Sequence, residues 1–137
     1  MRNAVVIDSG PCVALFDRDD DYHDTAVRFI RRQQRPLLST LAVVTEVMYL
    51  LDFSIQSQVD FLAWVHSGAV QIVEADDADF QRVIQLMRKY SDLPMDFTAG
   101  LLVAICERLG VKQVATVDGD FTIYRYRGRG KFENVFF

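Results

Sequence analysis

Short β-branched runs alternate with longer helical patterns along this chain, and few folds accept that alternation. Val5-Val6-Ile7, Pro36-Leu37-Leu38, Val70 to Val73 and Val111 to Val117 each read as a short strand. Between them lie segments with helical signals. Ser9-Gly10-Pro11 opens a helix that ends near Phe16, with Pro11 suited to the first turn. The acidic stretch Asp17 to Asp24 reads as a solvated loop and helix start. An amphipathic helix follows, with Ala26, Val27, Phe29 and Ile30 inward and Arg28, Arg31 and Arg32 in water. Ser39 or Thr40 caps a largely buried helix through Leu51. A further helix over about 55–66 turns Ile55, Val59, Leu62 and Ala63 inward. Asp76 or Asp77 caps a helix to about Tyr90, and the last helix runs from about Phe97 to Leu109 and stops at Gly110. The tail from Lys131 to Phe137 supplies a fifth strand. This pattern predicts one domain over 1–137. Its expected fold is an α/β three-layer sandwich, with a central, mostly parallel sheet of four or five strands flanked by helices.

In such sheets ligands bind beyond the carboxyl ends of the strands, and carboxylates stand at those ends. Asp8 follows the first strand and Asp118 the fourth. Glu46 is the only charged residue between Pro36 and Leu51, and Asp96 precedes the apolar stretch from Phe97 to Cys106. Each has an ordinary structural role open to it. Asp8 and Asp96 can cap the helices that follow, Glu46 can pair with a distant arginine, and Asp118-Gly119 is a turn signal. Together they say more. Two unit charges ~4 Å apart repel by roughly 4 kcal/mol at an effective dielectric of ~20. Clustered carboxylates therefore need a cation or must take up protons. All-oxygen ligation without Cys or His points to a hard ion, Mg²⁺ or Mn²⁺, and to phosphodiester hydrolysis.

Four segments carry a resemblance: Val6-Ile7-Asp8-Ser9-Gly10-Pro11, Thr45-Glu46-Val47, Asp92-Leu93-Pro94-Met95-Asp96 and Thr116-Val117-Asp118-Gly119-Asp120-Phe121. In order, spacing and total length the chain resembles the PIN-domain family, especially the VapC-type ribonucleases of toxin–antitoxin pairs. The resemblance implies Mg²⁺- or Mn²⁺-dependent cleavage of RNA, an antitoxin protein as partner, and a homodimer. It implies catalytic roles for Asp8, Glu46, Asp96 and Asp118, with Asp8, Asp96 and Asp118 on the metal and Ser9, Thr116 and Asp120 supporting them. One position departs from the family pattern. The acidic residue that many relatives carry inside the start of the late helix falls at Ala99, and Asp96, three residues earlier, would stand in for it. A catalytically weak PIN-like module that binds RNA or protein is the alternative.

A net charge of −4 gives no overall attraction to nucleic acid, so RNA would need a local basic patch. If the segment from Tyr124 to Lys131 is extended, Arg125, Arg127 and Arg129 share one side, with Tyr124 or Tyr126 to stack on bases. A solvated loop or a contact for an acidic partner is the other reading of that run. Trp64, Phe61 and Tyr49 read as core or dimer contacts. Cys12 and Cys106 sit among apolar residues as free thiols of a reducing cytosol. The start, Met1-Arg2-Asn3, leads straight into a strand with no signal-peptide pattern, and no apolar run is long enough to span a membrane. The expected location is cytoplasmic. No GxGxxG, GxxxxGK[ST] or GxSxG occurs, and an aspartyl-phosphate chemistry at Asp8 would leave Glu46 without a role.

Overall fold

A computed structural model describes residues 3–137; Met1 and Arg2, where the chain was read as leading into its first strand, lie outside the described residues. The chain runs through β1 (Val5–Ile7), α1 (Ser9–Phe16), α2 (His23–Arg32), β2 (Leu37–Ser39), α3 (Leu41–Leu50), α4 (Ile55–Trp64) and β3 (Gln71–Ile72). It continues through α5 (Asp77–Lys89), α6 (Phe97–Leu109), β4 (Gln113–Ala115), β5 (Arg125–Tyr126), β6 (Gly130–Lys131) and β7 (Glu133–Asn134). Five strands form one parallel sheet in the order β3-β2-β1-β4-β7, with helices packed about it. The registers pair Val6 with Leu38 on one side and with Val114 on the other. Central strands of a covered parallel sheet must be apolar throughout, and Val5, Val6, Ile7 and Leu38 are each almost wholly buried.

The local signals act as expected at the helix ends. Thr40 accepts from Val43 N, and Asp76 with Asp79 forms a reciprocal cap. Gly110 ends α6 at φ +71°, a left-handed conformation that costs glycine little. Gly10 answers a different need. A Cβ there would collide with Val117 Cγ2, so glycine lets α1 lie against the end of β4.

Two helices depart from expectation, α4 in the face it buries and α3 in how much of it is buried. Ile55, Val59, Leu62 and Ala63 of α4 point to solvent. Phe61 and Trp64 turn inward instead, stacking their rings against Phe16 at 5.8 and 5.5 Å. The helix carries two apolar sides separated by Gln56, Gln58 and Asp60, and the one with the larger aromatic area takes the core. In α3 only Val43 and Val47 are buried, while Leu41 and Tyr49 are 65% and 73% exposed. The helix expected to be largely buried thus keeps an apolar face with nothing upon it. Phe80, Ile84 and Met87 of α5, together with Phe97, make a second exposed apolar face. No helix among the described residues is long and apolar enough to cross a membrane.

Candidate metal centre at the carboxyl rim

β1 sits between β2 and β4: the chain steps outward on one side through β2 and β3, then crosses back to add β4 and β7 on the other. That reversal opens a crevice at the carboxyl ends of β1 and β4, where open α/β sheets bind ligands. Asp8 and Thr116 are the first residues beyond those two strands. Thr116 joins the acids: its hydroxyl donates to Asp8 Oδ2 at 2.9 Å and accepts from Asp118 N at 2.9 Å. Asp8 and Asp118 therefore share one rim.

Asp8 also caps α1, its Oδ1 accepting from Ser9 N at 2.8 Å. The hydroxyl of Ser9 donates to Glu46 Oε1 and lies 3.5 Å from Asp8 Oδ1, so one hydroxyl bridges helix α3 and the end of β1. Asp118 Oδ1 accepts from Asp120 N at 2.9 Å, which closes the turn after β4 and directs Asp120 into that turn. A residue not singled out from sequence completes the support. Asn134 donates to Thr116 O at 3.0 Å and accepts from Thr116 N at 3.3 Å, clamping the β4 end from β7. A lone amide inside the apolar tail Phe132-Glu133-Asn134-Val135-Phe136 was the available signal.

Asp8 is 9% exposed. Burial pushes its carboxyl up from the usual 3.8 to about 6, opposed by the bonds from Ser9 and Thr116 and reinforced by the charges of Glu46 and Asp118. Among the described residues it has no salt-bridge partner.

Asp96 does not join this group by contact. It caps α6, its Oδ1 accepting from Ala99 N at 2.8 Å. Ala99 itself is buried in the first turn. Among the described residues no three or more His, Cys, Asp or Glu side chains lie close enough to hold a metal ion ready-made. What the hydrogen bonds join directly is Asp8 and Glu46, through the Ser9 hydroxyl, and Asp8 and the backbone of Asp118, through the Thr116 hydroxyl. The donor set still fits a hard cation. Mg²⁺ keeps most of its waters and is commonly held by one or two carboxylates, and every polar atom here is oxygen.

The basic run departs from its expected shape. β5 and β6 form an antiparallel hairpin that turns at Arg127 and Gly128, with φ of +50° and +76°. The turn breaks the alternation that would align the three arginines. Arg125 Nη1 donates to the carbonyls of Thr122, Ile123 and Tyr124. Arg127 donates from its backbone to Glu107 Oε2 at 2.8 Å and from Nη2 to Glu107 O at 2.9 Å. Glu107 lies ~16 Å along α6 from its Asp96 cap, so this part of the hairpin stands away from that helix N-terminus. Tyr124 and Tyr126, expected to stack on bases, are buried.

A family model for the PIN domain matches residues 5–126, and the chain belongs to that family. The fold is similar to that of VapC20 of Mycobacterium tuberculosis, described as a sarcin-ricin loop cleaving toxin. The TM-score is 0.80 at 18% identity, over 87% of this chain and 93% of that one. It is also similar to VapBC2 from Rickettsia felis bound to a DNA fragment from its promoter, with a TM-score of 0.66 at 13% identity over 96% and 98% of the two chains. No curated protein sequence matches.

Proposed function

We propose that this protein is a Mg²⁺- or Mn²⁺-dependent ribonuclease, the toxin of a toxin–antitoxin pair that works in the cytoplasm. The observation that carries this reading is Asp8, a buried carboxylate at the sheet's switch point with acidic neighbours and no arginine or lysine to neutralise it among the described residues. Membership of the PIN family and the likeness to an RNA-cleaving toxin support the same class. When bound, a divalent ion lowers the pKa of its water and stabilises charge on a phosphoryl oxygen.

Asp8 would ligate that ion, with Ser9 N and Thr116 Oγ1 holding its two oxygens in place. Asp118 would ligate beside it, fixed by Asp120 N. Glu46 Oε1 accepts from Ser9, and its other oxygen would be available to hold the ion's water and take up a proton. Asp96 would compensate in part for Ala99, its Oδ2 reaching the ion through water. Arg125, Arg127 and Arg129 would lend positive charge to the RNA backbone, Arg129 most freely because its side chain makes no hydrogen bond among the described residues. The apolar faces on α3–α4 and α5–α6 would receive an antitoxin and a second copy of the chain.

Mn²⁺-dependent cleavage of single-stranded RNA tests the reading. The wild type cleaves, and Asp8→Asn loses at least about 100-fold, the scale of losses at metal-supporting positions. Equal cleavage by the two proteins would overturn the assignment. Ala99 and the capping role of Asp96 favour a second reading, a catalytically weak module that binds RNA or protein. Under it neither protein cleaves, and Ala99→Asp gains Mn²⁺-dependent activity.

A further inference from the structure

Next to the acids lies a cavity of about 300 Å³, and Asp118 lines it. Its walls are Val117, Phe121, Phe132 and Phe137, with Asn134 at the β7 side. It runs from the paired residues Val114 and Asn134 of β4 and β7 to Asp118 and Gly119, in the turn that follows β4. We propose that this cavity takes one unpaired nucleobase of a bound RNA strand and reads the presence of the base rather than its identity. The proposal rests on the ribonuclease reading and names how that site grips its substrate.

Three observations carry it. The first is adjacency, since one residue, Asp118, borders both the acidic crevice and the cavity. With a phosphate held at the acids through the ion, the neighbouring base would fall beside Asp118 and so at the cavity. The second is chemistry. Single-stranded RNA is held by bases stacked on aromatic side chains, and three phenylalanines gather here. Phe137 is 66% exposed, so its ring is open to a partner. The third is the state of the polar groups. The Asn134 amide is spent on Thr116 and on Phe136 N, and the Thr122 hydroxyl donates to Gly119 O. Both are engaged within the protein and Asp118 faces the ion in the proposed site, so most of the contact with a base falls to apolar and aromatic atoms, which accept every base.

Metal-free protein titrated with adenosine 5′-monophosphate, uridine 5′-monophosphate and ribose 5-phosphate, followed by NMR of the phenylalanine rings, tests the proposal. Both nucleotides are expected to shift Phe121, Phe132 and Phe137 in a saturable way, with affinities within about 10-fold of each other because every base offers a π-face. Ribose 5-phosphate is expected to leave those rings unmoved. Phe137→Ala is expected to weaken nucleotide binding about 5- to 20-fold, and Phe132→Leu, which keeps an apolar wall, to weaken it as well. Equal shifts from ribose 5-phosphate, shifts that map outside the cavity, or no shift at all would overturn the proposal; the last outcome would leave the cavity to an apolar side chain of a protein partner. Asp8→Asn is expected to keep the shifts of the three rings and their weak dependence on the base while losing Mn²⁺-dependent cleavage. Failure of the base site and failure of the nuclease reading therefore register in different measurements.

Discussion

Buried carboxylates occur at two ends of this molecule, and they are treated in opposite ways. Where α5 meets the end of α6, Glu107 accepts from Arg82 Nε at 2.7 Å and Nη2 at 3.0 Å, and from the backbone of Arg127 at 2.8 Å. Asp79, beside it, is met twice by Arg108, at 3.1 and 3.0 Å. The bond to Glu107 pushes the Arg82 guanidinium up, as a paired cation should be. At the carboxyl rim Asp8 is equally buried but meets hydroxyls, a backbone N–H and two like charges. One region carries its countercharge in its own sequence and is complete as a structural pin. The other is short of positive charge, and its acid keeps a proton up to about pH 6. Position in the fold separates the two kinds of acid better than burial does.

That contrast can be broken by mutation, and the largest effect is expected at the pinned end. Arg82→Ala leaves Glu107 buried without its bidentate partner and should cost about 3 kcal/mol in urea unfolding. A loss below 1 kcal/mol would mean that Glu107 relaxes into water and that the two ends do not differ as described.

Asp8→Asn should do the reverse in metal-free protein. Asparagine keeps a capping oxygen and removes the charge. A folded carboxyl raised from 3.8 to about 6 binds more protons than the unfolded one, so its contribution is favourable below about pH 4 and is lost as the pH rises through about 6. The variant should therefore match the wild type near pH 3 and exceed it by about 3 kcal/mol at pH 8. Equal stability at both pH values would remove the claim that Asp8 is held against its charge.

Two smaller effects sharpen the rim. Gly10→Ala drives a methyl into Val117 and should cost about 2 kcal/mol, shifting Asp8 relative to Thr116; unchanged melting would show that the rim tolerates displacement. Ala99→Asp adds a carboxylate in the first turn of α6, where the helix dipole offsets part of its burial, and should cost about 1 kcal/mol without metal. Mn²⁺ at saturating levels should restore that loss and more. A loss that Mn²⁺ does not repair would place position 99 outside the reach of the ion.

Much of this was legible from the chain. The β-branched runs at Val5 and Val114 are short because each strand crosses a covered sheet, and caps such as Asp76 and Gly110 announce themselves through backbone chemistry. That Asp8 and Asp118 lie near one rim was legible from each following a strand-like run, although β4 ends at Ala115 rather than Val117 and Thr116 makes the link between them. What was not legible depended on tertiary competition. Helix α4 has two apolar sides, and the ring of Phe16 meets Phe61 and Trp64 rather than Ile55 and Val59. Arg125 and Arg127 looked free in sequence, but the turn at Gly128 and the carboxylate of Glu107 engage them. Asp96 stands where a cap and a ligand look alike, and its bond to Ala99 N shows the cap.

Calorimetric titration of Mn²⁺ into the wild type and into Asp8→Asn, each at pH 5.5 and pH 8, tests most directly whether the rim's missing positive charge is a divalent ion. The wild type should bind saturably and release more protons at pH 5.5 than at pH 8, because the ion displaces the proton held by Asp8. Asp8→Asn should bind at least about 10-fold more weakly and lose that pH difference. Matching isotherms for the two proteins would contradict the account.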